Sequence, residues 1–268
     1  LDQTQLCAAG SLGTQTAFGL NEWANAKTSE LAYHSGFATR NGIDCALLAE
    51  AGARAAPSVL EGPMGLLAGF GALPRSSRLT EELGSEYRLL DVVHKPAPAC
   101  IYVQSPSQVA YIIVRDHKIS ATQIKEIEIE VSEAASLYPG CNDSGPISTA
   151  QAARLSIQFA VGAVIAHSSL QDKCWREFDH PVANELAGRS RLSVPESPHW
   201  TGEGCRINVT LQDGRVISAQ QDDVAAMSSS DLVERFLVAA EPRLGKTTAM
   251  RVLDLINDLE RLNDITPL

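Results

Sequence analysis

Positive charge is in short supply along this 268-residue chain: 22 lysines and arginines face 32 aspartates and glutamates, for a formal net charge of −10. Nucleic acid or an anionic membrane would need a basic face to displace counterions, so neither is an expected partner. A local pocket of Arg and Lys can still hold a small anion. Cys-x-x-Cys pairs are missing too. The six cysteines, Cys7, Cys45, Cys100, Cys141, Cys174 and Cys205, are widely scattered, which reads as reduced thiols of a cytoplasmic protein, not as a disulfide framework or a zinc site. The histidines, His34, His94, His117, His167, His180 and His199, form no His-x-x-x-His pair and no His–Cys cluster at ligand spacing, so no metal is expected. His117, His167, His180 and His199 read as surface or packing residues.

Long apolar runs are absent as well. The longest, Ile157 to Ala166, is interrupted by Gln158 and too short to span a bilayer, and no secretory signal opens the sequence. The run reads as a buried helix, and the sequons at Asn142 and Asn208 carry no meaning without secretion. There is no internal repeat and no low-complexity segment. With 44% hydrophobic and 20% charged residues, the composition is ordinary for a globular protein of one or two domains. Leu1 already stands inside a helical pattern (Leu6, Ala9, Leu12, Thr16), which suggests a piece of a longer protein or a processed chain.

What is present is organised around Ala24 to Gly52. His34, the small pair Ser35-Gly36 and Arg40 precede a run in which Ile43, Ala46, Leu47 and Ala51 recur at three- and four-residue steps. That spacing predicts a helix from about Ala38 to Ala51 with one face in the core. The polar cluster then falls at the helix entrance, where free N–H groups and the dipole favour an anion; plain capping explains the same residues.

The first 20 residues read as one helix, weakened by Gly10, Gly13 and Gly19. Leu66 to Leu79 reads as a loop or a short broken helix. From Tyr87 an apolar, strand-like run leads into a proline-rich turn ending at Cys100, and a domain boundary is placed near Asp91. Ser105-Pro106-Ser107-Gln108 predicts a helix start. Ile127, Ile129 and Val131 alternate with Glu126, Glu128 and Glu130, a half-exposed strand whose glutamates read as solvated surface. Ser148-x-x-Gln151 predicts a capping box and a helix to about Ala166, the core of a second domain. Strands at Arg191–Val194, Arg206–Leu211 and Arg215–Ala219, the last two joined by Asp213-Gly214, complete an α+β unit with an antiparallel hairpin. Helices at Asp231–Ala239 and Lys246–Leu262 close the chain. Gly245-Lys246-Thr247-Thr248 resembles the end of a phosphate loop, but Ala240 replaces its first glycine and no strand precedes it, so a helix N-terminus is the better reading.

Several ordered segments carry a resemblance: His34-Ser-Gly-Phe-Ala-Thr-Arg-Asn-Gly42, the run Ala46–Gly52, Val59-Leu-Glu-Gly-x-x-Gly65, Lys95-Pro-Ala-Pro-Ala-Cys100, Ser136 to Ile165, Arg206 to Ser218 and the closing Leu255 to Leu268. Together they resemble the MmgE/PrpD family, which includes 2-methylcitrate dehydratases, cis-aconitate decarboxylases and iminodisuccinate epimerases. The resemblance implies an α+β fold: a mainly helical large domain, only partly represented here, and a small α+β lid with an antiparallel hairpin. The implied domains are 1–91 for the first part of the helical domain, 92–225 for the lid, and 226–268 for helices returning to the helical domain.

It also implies a cofactor-independent lyase or isomerase acting on a small di- or tricarboxylic acid, by dehydration, decarboxylation or epimerisation alpha to a carboxylate. Arg40 and Lys95 would bind carboxylates, and His34 and Tyr138 would assist proton transfer. Three of them have a plainer reading: a surface salt bridge for Arg40, a snorkelling stem for Lys95, an aromatic plug for Tyr138. Two positions depart from the family pattern. Leu31 replaces a common lysine, with Lys27 four residues earlier pointing elsewhere, and Gln104 replaces a histidine, which removes proton exchange there. These departures motivate the alternatives of a non-catalytic or accessory protein of the same fold, or one half of a split enzyme. The expected assembly is a homodimer or a complex with a chain carrying the missing helical half.

Overall fold

The computed structural model describes residues 1–71, 73–197, 200, 202–264 and 266. His199 and the last residues of the closing segment lie outside the described residues. About half of the chain is helical and a four-stranded mixed sheet accounts for the rest of the regular structure, an α+β fold.

The N-terminal part is helical. Helix α1 (Gln3–Thr14) starts at Asp2, whose carboxylate accepts from the Gln5 N–H at 2.8 Å while the Gln5 side chain accepts from the Asp2 N–H at 2.9 Å. It ends at Thr14, short of the 20 residues predicted. A short α2 (Glu22–Ala26) leads to α3 (Leu31–Glu50), which packs against α1. Helix α3 begins at Leu31, not near Ala38, so Ser35, Gly36 and Arg40 lie past its first turn, where N–H groups are already spent on helical carbonyls. The helix-entrance anion site predicted from the sequence does not form. Nor is the predicted core face buried. Ile43 and Leu47 are 56% and 57% exposed, and the buried residues are Cys45 and Ala49. The apolar periodicity is real, but small side chains face α1 and none of the described residues covers the larger ones.

Helix α4 (Leu66–Gly69) and a 3-10 stretch over Leu73–Leu79 form the broken connection expected there. The strand-like run after Tyr87 is instead a 3-10 turn, Arg88–Asp91, with Leu89 and Leu90 strongly exposed. Among the described residues no neighbouring strand pairs with it.

The α+β unit holds the main core. Helix α5 (Ile101–His117) starts four residues before the predicted Ser105 cap, leaving Pro106 inside the helix. A buried glutamine that locks the preceding turn, described below, accounts for the early start. Strand β1 (Ile124–Glu130) buries Ile124, Ile127 and Ile129. It pairs in parallel with β2 (Ser190–Ser193) and antiparallel with β3 (Cys205–Leu211), which forms a hairpin with β4 (Val216–Gln221); the sheet order is β2-β1-β3-β4. Gly214 closes the hairpin at a φ of +85°, the left-handed region its missing Cβ permits. The glutamates of β1 lie on the open sheet face: Glu128 pairs with Arg191 at 2.7 Å and Glu130 with Arg206 at 3.5 Å.

The other face is covered by α5, by α8 (Ile157–His167) and by α10 (Pro181–Gly188). Between β1 and α8 lie α6 (Glu133–Leu137) and α7 (Ala150–Ala153); α9 (Lys173–Arg176) follows α8. The helix predicted from Ser148 is two helices. Thr149 caps α7 by accepting from the Ala152 N–H at 3.0 Å, and after a break Ser156 caps α8 by accepting from the Phe159 N–H at 2.9 Å. Helix α8 is buried on all sides, and Gly162 brings it against α10: a Cβ there would stand 2.5 Å from the Ala183 carbonyl oxygen. The chain closes with α11 (Ser229–Leu244) and α12 (Lys246–Asn257), joined at Gly245, so the lysine after that glycine opens a helix. Among the described residues no helix is long and apolar enough to cross a membrane, and all six cysteines are free thiols.

Candidate functional site

The turn that carries Lys95 is held from beneath by an amide. Gln104, fully buried, accepts from the Ala97 N–H through Oε1 at 2.9 Å, and its Nε2 hydrogens are shared among the carbonyls of Ala97, Ala99 and Cys100, each at 3.0 Å. One side chain thus satisfies four backbone groups. Gln104 therefore does not stand where the sequence places it, as a lost titratable group of a cleft; it faces the core. Above it, Lys95 Nζ donates to the Ala99 carbonyl at 3.2 Å, and the Cys100 N–H donates to the Arg154 carbonyl at 2.9 Å. Helix α11 is tied to the same turn, where Arg235 Nη1 donates to the Lys95 carbonyl at 2.7 Å.

The N-terminal segment meets this turn through a small core of Trp23, Ala24 and Leu155, on which Cys100 and Tyr138 pack. Tyr138 follows α6 and stacks obliquely on Tyr102, with ring centroids 5.2 Å apart. Above this seam opens a cavity of about 1050 Å3. Trp23 and Leu31 line it from the N-terminal part; Lys95, Cys100, Tyr138 and Arg154 line it from the α+β unit; Arg235 and Arg243 line it from α11. Six cationic side chains (Lys95, Arg154, Lys173, Arg176, Arg235, Arg243) face two carboxylates, Asp172 and Glu177. Asp172 is shared by Arg154, at 3.4 Å, and Arg176, while Glu177 pairs with Lys173 at 3.6 Å. Positive potential is therefore concentrated in a chain that is otherwise acidic.

Of the four residues singled out in the sequence, the cavity unites Lys95 and Tyr138. Arg40 is exposed, 3.6 Å from Asp44, on a separate shallow depression along α3. His34 packs edge-on against Gly19, where a Cβ would stand 2.7 Å from the His34 Nδ1. Neither lines the cavity. Leu31 does, as an apolar wall, and Lys27 is turned away to Asp143, its Nζ 2.8 Å from Oδ2.

Cys100 was not singled out for chemistry in the sequence, although its place just before an apolar helix is the signal that finds it. Its pKa is lowered below the ordinary thiol value, chiefly by the neighbouring Cys141 thiol acting as donor, helped by the N–H groups of Tyr102 and Ile101 and by the Lys95 ammonium, against the opposing effect of burial. Cys141, as donor of that shared proton and buried, is pushed up. Arg154, Arg235 and Arg243 were also missed, because they converge only in the folded chain. Among the described residues, one grouping has the donors for a metal ion: His167, Glu177 and His180, with ligand atoms within 4.8 Å of one another.

A family model described as the MmgE/PrpD N-terminal domain matches residues 1–76, and one described as the MmgE/PrpD C-terminal domain matches residues 97–261. The chain belongs to the MmgE/PrpD family. Cis-aconitate decarboxylase of Homo sapiens is 28% identical over 265 residues, covering 91% of this chain and 53% of its own length. Cis-aconitate decarboxylase of Aspergillus terreus (strain NIH 2624 / FGSC A1156) is 24% identical over 261 residues, covering 87% of this chain and 52% of its own. The chain spans about half the length of the curated relatives it matches. In this MmgE/PrpD protein both matched regions contribute to the cavity: Trp23 and Leu31 come from the first, and Cys100, Tyr138, Arg154 and Arg235 from the second. Lys95 stands in the short connection between them.

Proposed function

We propose that this protein is a cofactor-independent lyase of the MmgE/PrpD type, acting on a small di- or tricarboxylic acid in the cavity between Lys95 and Tyr138. The observation that carries this is the gathering of six cationic side chains and a phenol around one cavity in a chain of net charge −10. Two or three carboxylates need several fixed cations to be held in one orientation, and arginine forks add direction to that hold.

Decarboxylation is the favoured outcome over dehydration and epimerisation, as in the named relatives. In that step the bond between carbon and the departing carboxylate breaks and carbon dioxide leaves. The electron pair stays on carbon, spread through an adjacent double bond toward a second carboxylate, where a cation stabilises the developing charge. Tyr138 then gives its hydroxyl proton to carbon and is reprotonated from solvent. Dehydration and epimerisation would begin with a base removing a carbon-bound proton. The cavity's carboxylates are engaged in ion pairs, so neither is free to act as that base.

A binding role without turnover is the second possibility, supported by the apolar wall that Leu31 contributes where the family pattern has lysine. We place the working unit as a homodimer or a complex with a complementary helical chain, since α3 carries an uncovered apolar face. Proton NMR of the chain with cis-aconitate, methylcitrate or iminodisuccinate tests the proposal. Loss of carbon dioxide from cis-aconitate, suppressed in Tyr138→Phe, is the expected result; binding of all three with turnover of none would overturn the enzymatic role in favour of binding.

A further inference from the structure

Three helix ends converge beside the cavity, and each contributes one potential metal ligand. His167 is the last residue of α8, Glu177 caps the C-terminus of α9, and His180 caps the N-terminus of α10. The two imidazole rings lie with centroids 4.7 Å apart at 60°, and Glu177 Oε2 is 3.5 Å from His167 Nε2. His167 Nε2 is buried and has no hydrogen-bond partner within bonding geometry. A buried nitrogen without a partner is costly unless something else occupies its lone pair or takes its proton.

We propose that His167, Glu177 and His180 form a binding site for a divalent transition metal ion, with zinc the best fit. Two imidazoles and one carboxylate are a zinc ligand set that leaves a fourth position open. Zn–N and Zn–O bonds of about 2.0–2.1 Å put tetrahedral ligand atoms roughly 3.4 Å apart. The present 4.8 Å spread closes to that by small side-chain rotations. Glu177 also lines the cationic cavity, so the site lies beside it.

Two features oppose binding and set its strength. Lys173 Nζ, 3.6 Å from Glu177 Oε1, competes for the carboxylate. The His180 Nδ1 accepts from the Ala183 N–H at 3.3 Å. Coordination through either ring nitrogen of His180 gives up that bond, because the remaining nitrogen must carry the proton. A loosened first turn of α10 is the structural price.

The test is metal binding, read without reference to turnover, so its failure leaves the proposed lyase activity untouched. The full chain, stripped with a chelator, is titrated with cobalt(II), and the bound cobalt is then displaced with zinc. One equivalent should bind, with visible d–d bands of a four-coordinate N/O site and without the near-ultraviolet thiolate charge-transfer band that cysteine ligation gives. Glu177→Gln keeps the side-chain shape, and His180→Asn keeps a capping residue on α10. Each should weaken zinc binding by at least about tenfold with an unchanged circular dichroism spectrum. Absence of binding, a thiolate band, or equal affinity in wild type and both folded variants would overturn the proposal.

Discussion

Gln104 and Ala97 exchange a closed pair of hydrogen bonds, 2.9 Å from the Ala97 N–H to Oε1 and 3.0 Å from Nε2 to the Ala97 carbonyl. The pair fixes the turn that aims Lys95 and Cys100 at the cavity. Gln104→Leu keeps the volume but strands four buried backbone groups, so it should destabilise the chain by about 3 kcal/mol, read from urea unfolding. Gln104→His, the residue common in the family, offers two ring nitrogens for four partners and should also destabilise, without raising activity. A fully stable Gln104→His protein would refute the structural role given to this side chain.

Cys100 should react as a thiolate at lower pH than an ordinary cysteine. Its folded pKa is lowered below the ordinary thiol value, so alkylation by iodoacetamide should rise with a midpoint below that of a free thiol. Lys95→Met removes one of the stabilising charges and should move that midpoint upward. Cys174, pushed up to about 11 by burial, should stay unlabelled in the folded chain. Mass spectrometry of peptides labelled across a pH series checks all three.

Kinetic constants should separate binding from proton transfer. Lys95→Met removes a proposed carboxylate contact and should raise KM by about tenfold with a smaller effect on kcat. Tyr138→Phe should lower kcat by about 100-fold and change KM little. Arg40→Ala should alter neither by more than about twofold, since Arg40 is exposed and pairs only with Asp44 at 3.6 Å. Steady-state rates of the three variants decide the matter.

Association should run through α3. Tyr33, Phe37, Ile43, Leu47 and Leu48 are each more than half exposed, an amount of open apolar surface on one helix that soluble monomers rarely leave. In a solution of this chain alone, a second copy is what can cover it. Light scattering should show concentration-dependent dimers, and the double variant Leu47→Glu, Leu48→Glu should shift them to monomer with an unchanged circular dichroism spectrum.

The sheet was legible in the sequence because its signals are local. Alternation at Ile127 and Ile129 and the Asp213-Gly214 turn place β1 and the hairpin within a residue or two of where they lie. Helix starts were less legible. Ser105-Pro106 looks like a cap, yet Gln104 hydrogen bonds to the turn before it nucleate α5 at Ile101. The α3 periodicity marked an apolar face, but the prediction that this face is core failed, because Ile43 and Leu47 are more than half exposed. Lys95 and Tyr138 were visible through the family pattern. Arg235 and Arg243 were not, because α11 reaches the cavity from about 140 residues away in sequence. The His167, Glu177 and His180 grouping was hidden for a similar reason: three helix ends bring the side chains together, and no local repeat announces them.

The most direct test of the cavity as a carboxylate site is calorimetric titration of the chain with tricarballylate, a tricarboxylate that has no double bond to react. One equivalent should bind, Lys95→Met should weaken binding by about tenfold or more, and Arg40→Ala should leave it unchanged. No binding, or binding lost in Arg40→Ala and retained in Lys95→Met, would contradict the assignment of this cavity.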